Sequence, residues 1–333
     1  MSGASGITRR AMALGGAAAG VAAGVAAMTQ SAAAQTFPSQ DLHLICAFPP
    51  GSGADVIVRH YAERLRPVVG RSLIVENRSG AGGNIATEYA ARSKPDGYTV
   101  YVHAGSGLAG NMSLFKKPPV DVGKAFQVVA TINRQPFMLV VDAKRPWKTV
   151  AELTAYLKEK GDKATYASAA PTGTVMGELY KVIAGVKALE VPYKNAIDSL
   201  NDMLNGSVDY GMHDPVFALA QAREGRLRIL AVSTGERLKA NPDMPTMNES
   251  GVKGMDITGW WSAQVPAATP RPIVDQLAKW FNQVTSSEET KKFLNGFGGD
   301  PMIETPDQGQ ARLLKDVEAW KEYVRIAKIE PQG

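Results

Sequence analysis

Three segments of this chain combine glycine with hydroxyl, carboxyl or carboxamide side chains after short apolar runs. They are Phe48-Pro49-Pro50-Gly51-Ser52-Gly53-Ala54-Asp55, Gly80-Ala81-Gly82-Gly83-Asn84 and Ser168-Ala169-Ala170-Pro171-Thr172-Gly173-Thr174. A glycine-rich turn between a strand and a helix leaves backbone N–H groups without intrahelical partners, at the helix end where the dipole is positive. Such a turn favours an anion. Neutral donors of this kind hold a carboxylate without any arginine or lysine. Each turn also has a plainer use, as turn glycine with helix capping by Asp55, Asn84 and Thr174. Together they suggest a small-anion site at several strand ends, where open α/β sheets bind ligands.

Reactive constellations are missing from the sequence. Gly51-Ser52-Gly53-Ala54-Asp55-Val56 lacks the third glycine of a dinucleotide fingerprint, and neither a Walker sequence nor a G-x-S-x-G elbow is present. The four histidines show no metal-ligand spacing, so no metal, no cofactor and no catalytic residue is expected. His43 and His60 read as strand-edge and helix-surface residues, while His103 and His213 each end a predicted strand, near the anion site. For these two a ligand role and a structural role stay open. His213 can donate to a second carboxylate as a cation or, when neutral, accept from a hydroxyl. Asp214 either orients that imidazole or caps the helix that begins after Pro215. In Trp260-Trp261 the two rings face opposite sides of a strand. Core packing is expected for both, with one of them a candidate for the ligand site.

The elements that position these residues alternate. Strands are predicted at 43–47, 73–76 and 98–103, with helices at 54–69 and 83–92 between them. Val56, Ile57, Tyr61, Leu65 and Val68 carry the helical spacing of the first helix. This βαβαβ order argues for a parallel sheet covered by helices. A second α/β unit follows, with strands at 138–141, 165–168, 188–191, 208–212 and 228–233 and helices at 150–160, 176–184, 197–205 and 216–224. A long strand at 256–265 and helices at 272–286, 288–297 and 305–327 complete the chain. The apolar stripes of these helices need a sheet to cover. The first unit has only three strands of its own, so the C-terminal segment is expected to return to it. The expected domains are 36–137 with 254–333, and 138–253.

Composition narrows the class. Arg9-Arg10, an uncharged Ala/Gly-rich run from 11 to 28 and Ser31-Ala32-Ala33-Ala34 read as a twin-arginine-like export signal at 1–34, cleaved after Ala34. No later stretch is apolar enough to cross a bilayer, so the mature chain is expected in the periplasm without membrane insertion. The net charge of +5 becomes +3 once the two arginines of the signal, the only charges in residues 1–34, are removed. With no basic run, nucleic acid is not an expected partner. The single cysteine, Cys46, excludes an internal disulfide and reads as a buried strand residue.

The chain resembles the periplasmic solute-binding proteins of tripartite tricarboxylate transporters, the Bug or TctC family. The resemblance runs through essentially the whole mature chain. It is carried by Gly51-Ser52-Gly53-Ala54-Asp55, by Glu76-Asn77-Arg78-Ser79-Gly80-Ala81-Gly82-Gly83-Asn84 and by Pro95-Asp96-Gly97-Tyr98. Later come Tyr166-Ala167-Ser168, Gly177-Glu178-Leu179, Val191-Pro192-Tyr193-Lys194 and Pro245-Thr246-Met247. It implies a two-domain Venus-flytrap fold (periplasmic-binding-protein type II) with the ligand cleft between the domains. The implied function is a receptor, expected to be monomeric, that captures a small di- or tricarboxylic acid and delivers it to the subunits of a membrane permease. It also implies that Phe48, Ser52, Gly53, Ala54 and Asp55 of the first loop hold one carboxylate, partly through water, with Ser168, Thr172, Gly173 and Thr174 of the second domain. Ser106, His213 and Asp214 complete the candidate set.

Three departures from the family pattern bear on the ligand. Gly51-Ser52-Gly53 replaces a double glycine, the loop from Ser168 is about two residues short and lacks a histidine, and Met212-His213-Asp214 stands where Phe-Asp-Asn is common. Competing readings are a protein that presents its solute to a sensor kinase and an exported α/β enzyme.

Overall fold

The computed structural model describes residues 37–333. The export signal expected at 1–34 lies outside the described residues. Two sheets organise residues 40–333. The first contains β1 (Leu42–Cys46), β2 (Leu73–Asn77), β3 (Thr99–Ala104), β4 (Phe126–Gln135), β10 (Gly259–Pro266) and β11 (Asp300–Pro301), in the order β11-β4-β10-β3-β1-β2. The second contains β5 (Met138–Asp142), β6 (Thr165–Ser168), β7 (Leu189–Pro192), β8 (Tyr210–His213) and β9 (Leu227–Val232), in the order β7-β6-β8-β5-β9. β1 is parallel to β2 and β3, and β6 is parallel to β7 and β8. β10 runs antiparallel between β3 and β4, so the C-terminal third of the chain completes the first sheet.

The helices follow from pattern and caps. α1 (Gly53–Val69) buries Ile57, Val58, Tyr61, Leu65 and Val69, and ends at Gly70 in the left-handed conformation that glycine adopts without strain. α2 (Asn84–Ala91) and α3 (Gly105–Leu114) follow β2 and β3, and α4 (Val122–Ala125) is one short turn. In the second half, α5 (Val150–Lys160) opens on a capping box of Thr149 and Glu152. α6 (Pro171–Ala184), α7 (Leu200–Leu204) and α8 (Pro215–Arg223) come next. α9 (Arg271–Ser286), α10 (Glu288–Gly296) and α11 (Pro306–Ala327) close the chain. Cys46 is fully buried in β1, and burial pushes its thiol up to about 11.

Two differences from the sequence reading have clear causes. Strand β4 was not expected, because its apolar run is broken by Gln127, Thr131, Asn133 and Gln135. Thr131, Asn133 and Gln135 are buried, and the Thr131 hydroxyl donates to the Met302 carbonyl at 3.0 Å. Helix α3 was not expected either, because Gly105, Gly107 and Gly110 depress helix propensity. A Cβ at these positions would lie 2.3 Å from the Trp260 ring, 3.1 Å from His103 and 3.0 Å from Trp320. The glycines admit three rings against the helix.

The chain passes between the sheets at 136–137 and again between Val232 and Gly259. Ser233 ties the two passages together. Its hydroxyl accepts from Phe137 N–H at 2.9 Å and donates to the Ile257 carbonyl at 2.6 Å. Its backbone bonds both residues as well.

Candidate functional site

The first loop is built around Asp55. Ser52 is the N-cap of α1, and its Oγ accepts from Asp55 N–H at 3.2 Å while donating to the Pro49 carbonyl at 2.7 Å. The Asp55 carboxylate accepts from Gly51 N–H at 2.8 Å, from Arg59 Nε at 2.8 Å and from Asn77 Nδ2 at 2.8 Å. Burial pushes this carboxyl up, but the bonds from Arg59, Asn77 and Gly51 and the Arg59 charge outweigh it and hold it below its ordinary value. Asn77 also donates to the Phe48 carbonyl at 2.9 Å, which fastens the loop to the end of β2. Asp55 is therefore the loop's internal anchor, and Ser52 rather than Asp55 is the cap. With these bonds made, the N–H groups of Gly53 and Ala54 are the amides of the first turn left without an intrahelical partner.

The second loop takes its path from glycine. Gly80, Ala81, Gly82 and Gly83 all have positive φ, and a Cβ on Gly83 would lie 2.9 Å from His103 Nε2. Asn84 does not cap α2. It accepts from Asn111, which also donates to the Gly82 carbonyl at 2.9 Å.

The third loop is shorter than the sequence reading placed it. Helix α6 starts at Pro171, not at 176, so Thr172, Gly173 and Thr174 belong to its first turn. Proline is favoured at the first helical position. Gly173 is required because a Cβ there would lie 2.8 Å from the Met212 carbonyl oxygen. α6 has no side-chain cap, so Thr174 does not serve as one; its N–H bonds the Ala170 carbonyl at 3.2 Å. Thr172 and Gly173 are left as open amides. The hydroxyls of Ser168 and Thr174 both donate to Glu190 Oε1, at 2.5 Å each. Glu190, in β7, is the residue that sequence reasoning missed at this loop. Its cross-strand proximity to Ser168 has no local sequence signature.

The loops of the two sheets meet. A Cβ on Gly53, in the first turn of α1, would lie 3.1 Å from three side-chain atoms of Val216, in the first turn of α8. A Cβ on Gly82 would lie 3.7 Å from Pro171, at the start of α6. Helix α6 also touches α3 and α11. The strand ends of β1, β2, β6 and β8 thus bring their loops to one place.

The remaining candidates fall on either side of it. Phe48 is partly buried, with its ring centroid 5.4 Å from His103 and 6.1 Å from Trp261. His103 is buried and donates from Nδ1 to the Ala104 carbonyl at 2.8 Å, which leaves Nε2 as an acceptor with no partner. Trp261 Nε1 is likewise buried without a partner, whereas Trp260 donates to Asp316 at 2.6 Å. Both tryptophans pack in the core, on opposite faces of β10, and Trp261 borders the first loop. Ser106 is buried in the first turn of α3. His213 is buried, with Nε2 3.3 Å from Ser199 Oγ, and burial pushes its pKa down to about 4. A neutral imidazole results, so the cationic role weighed from the sequence is disfavoured by desolvation. Asp214 caps α8 by accepting from Val216 and Phe217 N–H at 3.0 and 3.1 Å. It does not orient His213. His43 bonds Glu76 at 2.5 Å, and His60 stacks on Phe293 at 3.8 Å. Among the described residues no group of His, Cys, Asp and Glu could hold a metal ion, and no helix is long and apolar enough to cross a membrane.

Comparison with known proteins agrees with this architecture. Residues 57–329 match the tripartite tricarboxylate transporter family receptor. The protein BugT of Bordetella pertussis is 29% identical over 309 residues, covering 92% of this chain and 95% of that one. A UPF0065 protein of Bordetella bronchiseptica is 30% identical over 304 residues, covering 90% of each. Among solved structures, the periplasmic binding protein BugD superposes with a TM-score of 0.80 at 29% identity, over 89% of this chain and all 100% of that one. R. palustris Rpa4515 with adipate gives a TM-score of 0.82 at 29% identity, over 89% of this chain and 99% of that one. The two-sheet architecture is thus the two-domain fold of periplasmic binding proteins, and the chain belongs to the tripartite tricarboxylate transporter receptor family.

Proposed function

We propose that this protein is an extracytoplasmic receptor that captures a small organic acid and delivers it to the membrane permease of a tripartite tricarboxylate transporter. The observation that supports this reading is that α1, beside the first sheet, and α6, beside the second, each open with two amides that no capping side chain takes. Gly53 and Ala54 N–H open α1, and Thr172 and Gly173 N–H open α6. Four amides at two helix N-termini suit one carboxylate. The adipate in Rpa4515 supports an acid as the class of ligand. The halves 36–137 with 254–333, and 138–253, then act as the bodies that close on it. A ligand touching both stabilises the closed state, with Ser233 at the crossing. The protein acts as a monomer and turns nothing over.

Mass spectrometry of the small molecule that co-purifies from the native host, followed by calorimetry with that compound, tests the reading. An organic acid bound one to one and recovered unchanged is the expected result. A bound compound without a carboxyl group would refute it. Loss of uptake of that acid when the neighbouring permease is deleted tests delivery.

A further inference from the structure

The hydroxyls of Ser168 and Thr174, which the resemblance assigns to a ligand carboxylate, are committed elsewhere. Glu190 stands on the edge strand β7, opposite Tyr166 of β6 in register. One oxygen of its side chain, Oε1, lies 2.5 Å from Ser168 Oγ and 2.5 Å from Thr174 Oγ1, and the two hydroxyl oxygens are 3.2 Å apart. A hydroxyl has one proton to donate. With both protons directed at Glu190, the side chains of Ser168, Thr174 and Glu190 offer only lone pairs and a carboxylate. A ligand carboxylate placed against them would meet a like charge at close range and no donor, an arrangement that disfavours the second charge. The backbone N–H groups of Gly53, Ala54, Thr172 and Gly173 are donors only. The site therefore has a donor part and an acceptor part side by side, since Thr172 and Thr174 share the first turn of α6.

We infer that Glu190 determines specificity by requiring a hydrogen-bond donor on the ligand, an ammonium or N–H group close to the carboxylate. This rests on the carboxylate reading above. Glu190, Ser168 and Thr174 form the acceptor set for that group, and a simple dicarboxylate with no donor is disfavoured.

Calorimetry of the mature protein with matched acids tests this: glutarate against L-glutamate, succinate against L-aspartate, and 4-methylpentanoate against L-leucine. Each pair differs by one ammonium group. A hydrogen bond to a charged group corresponds to roughly tenfold to a hundredfold in affinity. The expected result is that the amino member of at least one pair binds at least tenfold tighter, and that Glu190→Gln reduces this preference below threefold. Wild-type protein that binds the plain acids as tightly as their amino partners overturns the donor requirement while leaving carboxylate binding intact. A preference that survives both Glu190→Gln and Glu190→Ala overturns the role of Glu190. No binding of any of the six acids overturns this inference, while the carboxylate reading stands or falls with the compound that co-purifies. The wild-type comparison does not depend on how either variant folds.

Discussion

Asp55 shows how a residue suited to contact a ligand can instead hold a loop in place. Its three hydrogen-bond partners come from the loop, from α1 and from β2. Replacing it with Asn removes the charge that pairs with Arg59 and replaces one acceptor with a donor. We expect Asp55→Asn to cost about 2 kcal/mol of stability, in the range for hydrogen bonds to charged groups, measured by urea unfolding at pH 7. A variant as stable as wild type would show that the loop is held by Ser52 and the turn glycines alone. The buried histidines make a second prediction. Burial pushes His103 and His213 from the ordinary 6.5 down to about 4, and in His103 the bond to the Ala104 carbonyl opposes this only in part. Between those values the unfolded chain takes up protons that the folded chain refuses, so stability is full above pH 6.5 and declines as pH falls toward 4. Each ring accounts for up to about 3 kcal/mol of that decline. Unfolding curves at pH 7, 5.5 and 4.5 should show a smaller loss for His213→Gln than for wild type. Ligand affinity should not respond to His213 between pH 6 and 8, because the ring is neutral throughout. A titration in that window that His213→Gln abolishes would contradict this.

At the scale of elements, Gly53 of α1 lies against Val216 of α8, a contact between the loops of the two sheets. A methyl group at Gly53 would crowd the valine by a few tenths of an ångström. Gly53→Ala should weaken binding about tenfold, on the scale of a mild overpacking cost, and Gly53→Ala with Val216→Ala should recover most of it. Calorimetry on the two variants decides, and failure of the double variant to recover would mean the contact is absent when ligand is bound. The same scale shows what could be read from sequence. The periodicity of α1 and of the three C-terminal helices was visible because each buries one stripe against a sheet. The start of α6 was misplaced because Gly173 reads as a loop residue until the Met212 carbonyl beside it is known. Strand β4 was hidden by polar side chains whose partners, such as the Met302 carbonyl for Thr131, are 171 residues away. The loops themselves were legible because turn glycines and hydroxyls are local signals. Glu190 was not, because what matters about it is a neighbour on the adjacent strand.

Taken as a whole, the molecule is two sheets joined by two passages that share one buried serine. Ser233→Ala removes the acceptor for Phe137 N–H and the donor for the Ile257 carbonyl. Leaving such groups unpaired costs about 1–3 kcal/mol. We expect lower stability and, in small-angle scattering, a wider distribution of sizes without ligand that narrows when ligand is added. An unchanged distribution would locate the pivot elsewhere.

Strand β10 has one more consequence, which concerns time. All five strands of the second sheet lie within residues 138–232, so that half has every partner it needs early. The first sheet does not. β3 and β4 have no contact with each other in the sheet order until β10, residues 259–266, is placed between them. A chain emerging from the ribosome therefore exposes the edge of β3 and the whole of β4 until nearly its end, and pairing across such separations is slow. A chain cut after residue 253 should give a protease-resistant core from the second half, with the first half digested. Equal protection of both halves would mean that β3 and β4 find another arrangement. The half that carries the loop from Gly51 to Asp55 becomes committed to its fold only when synthesis is almost complete.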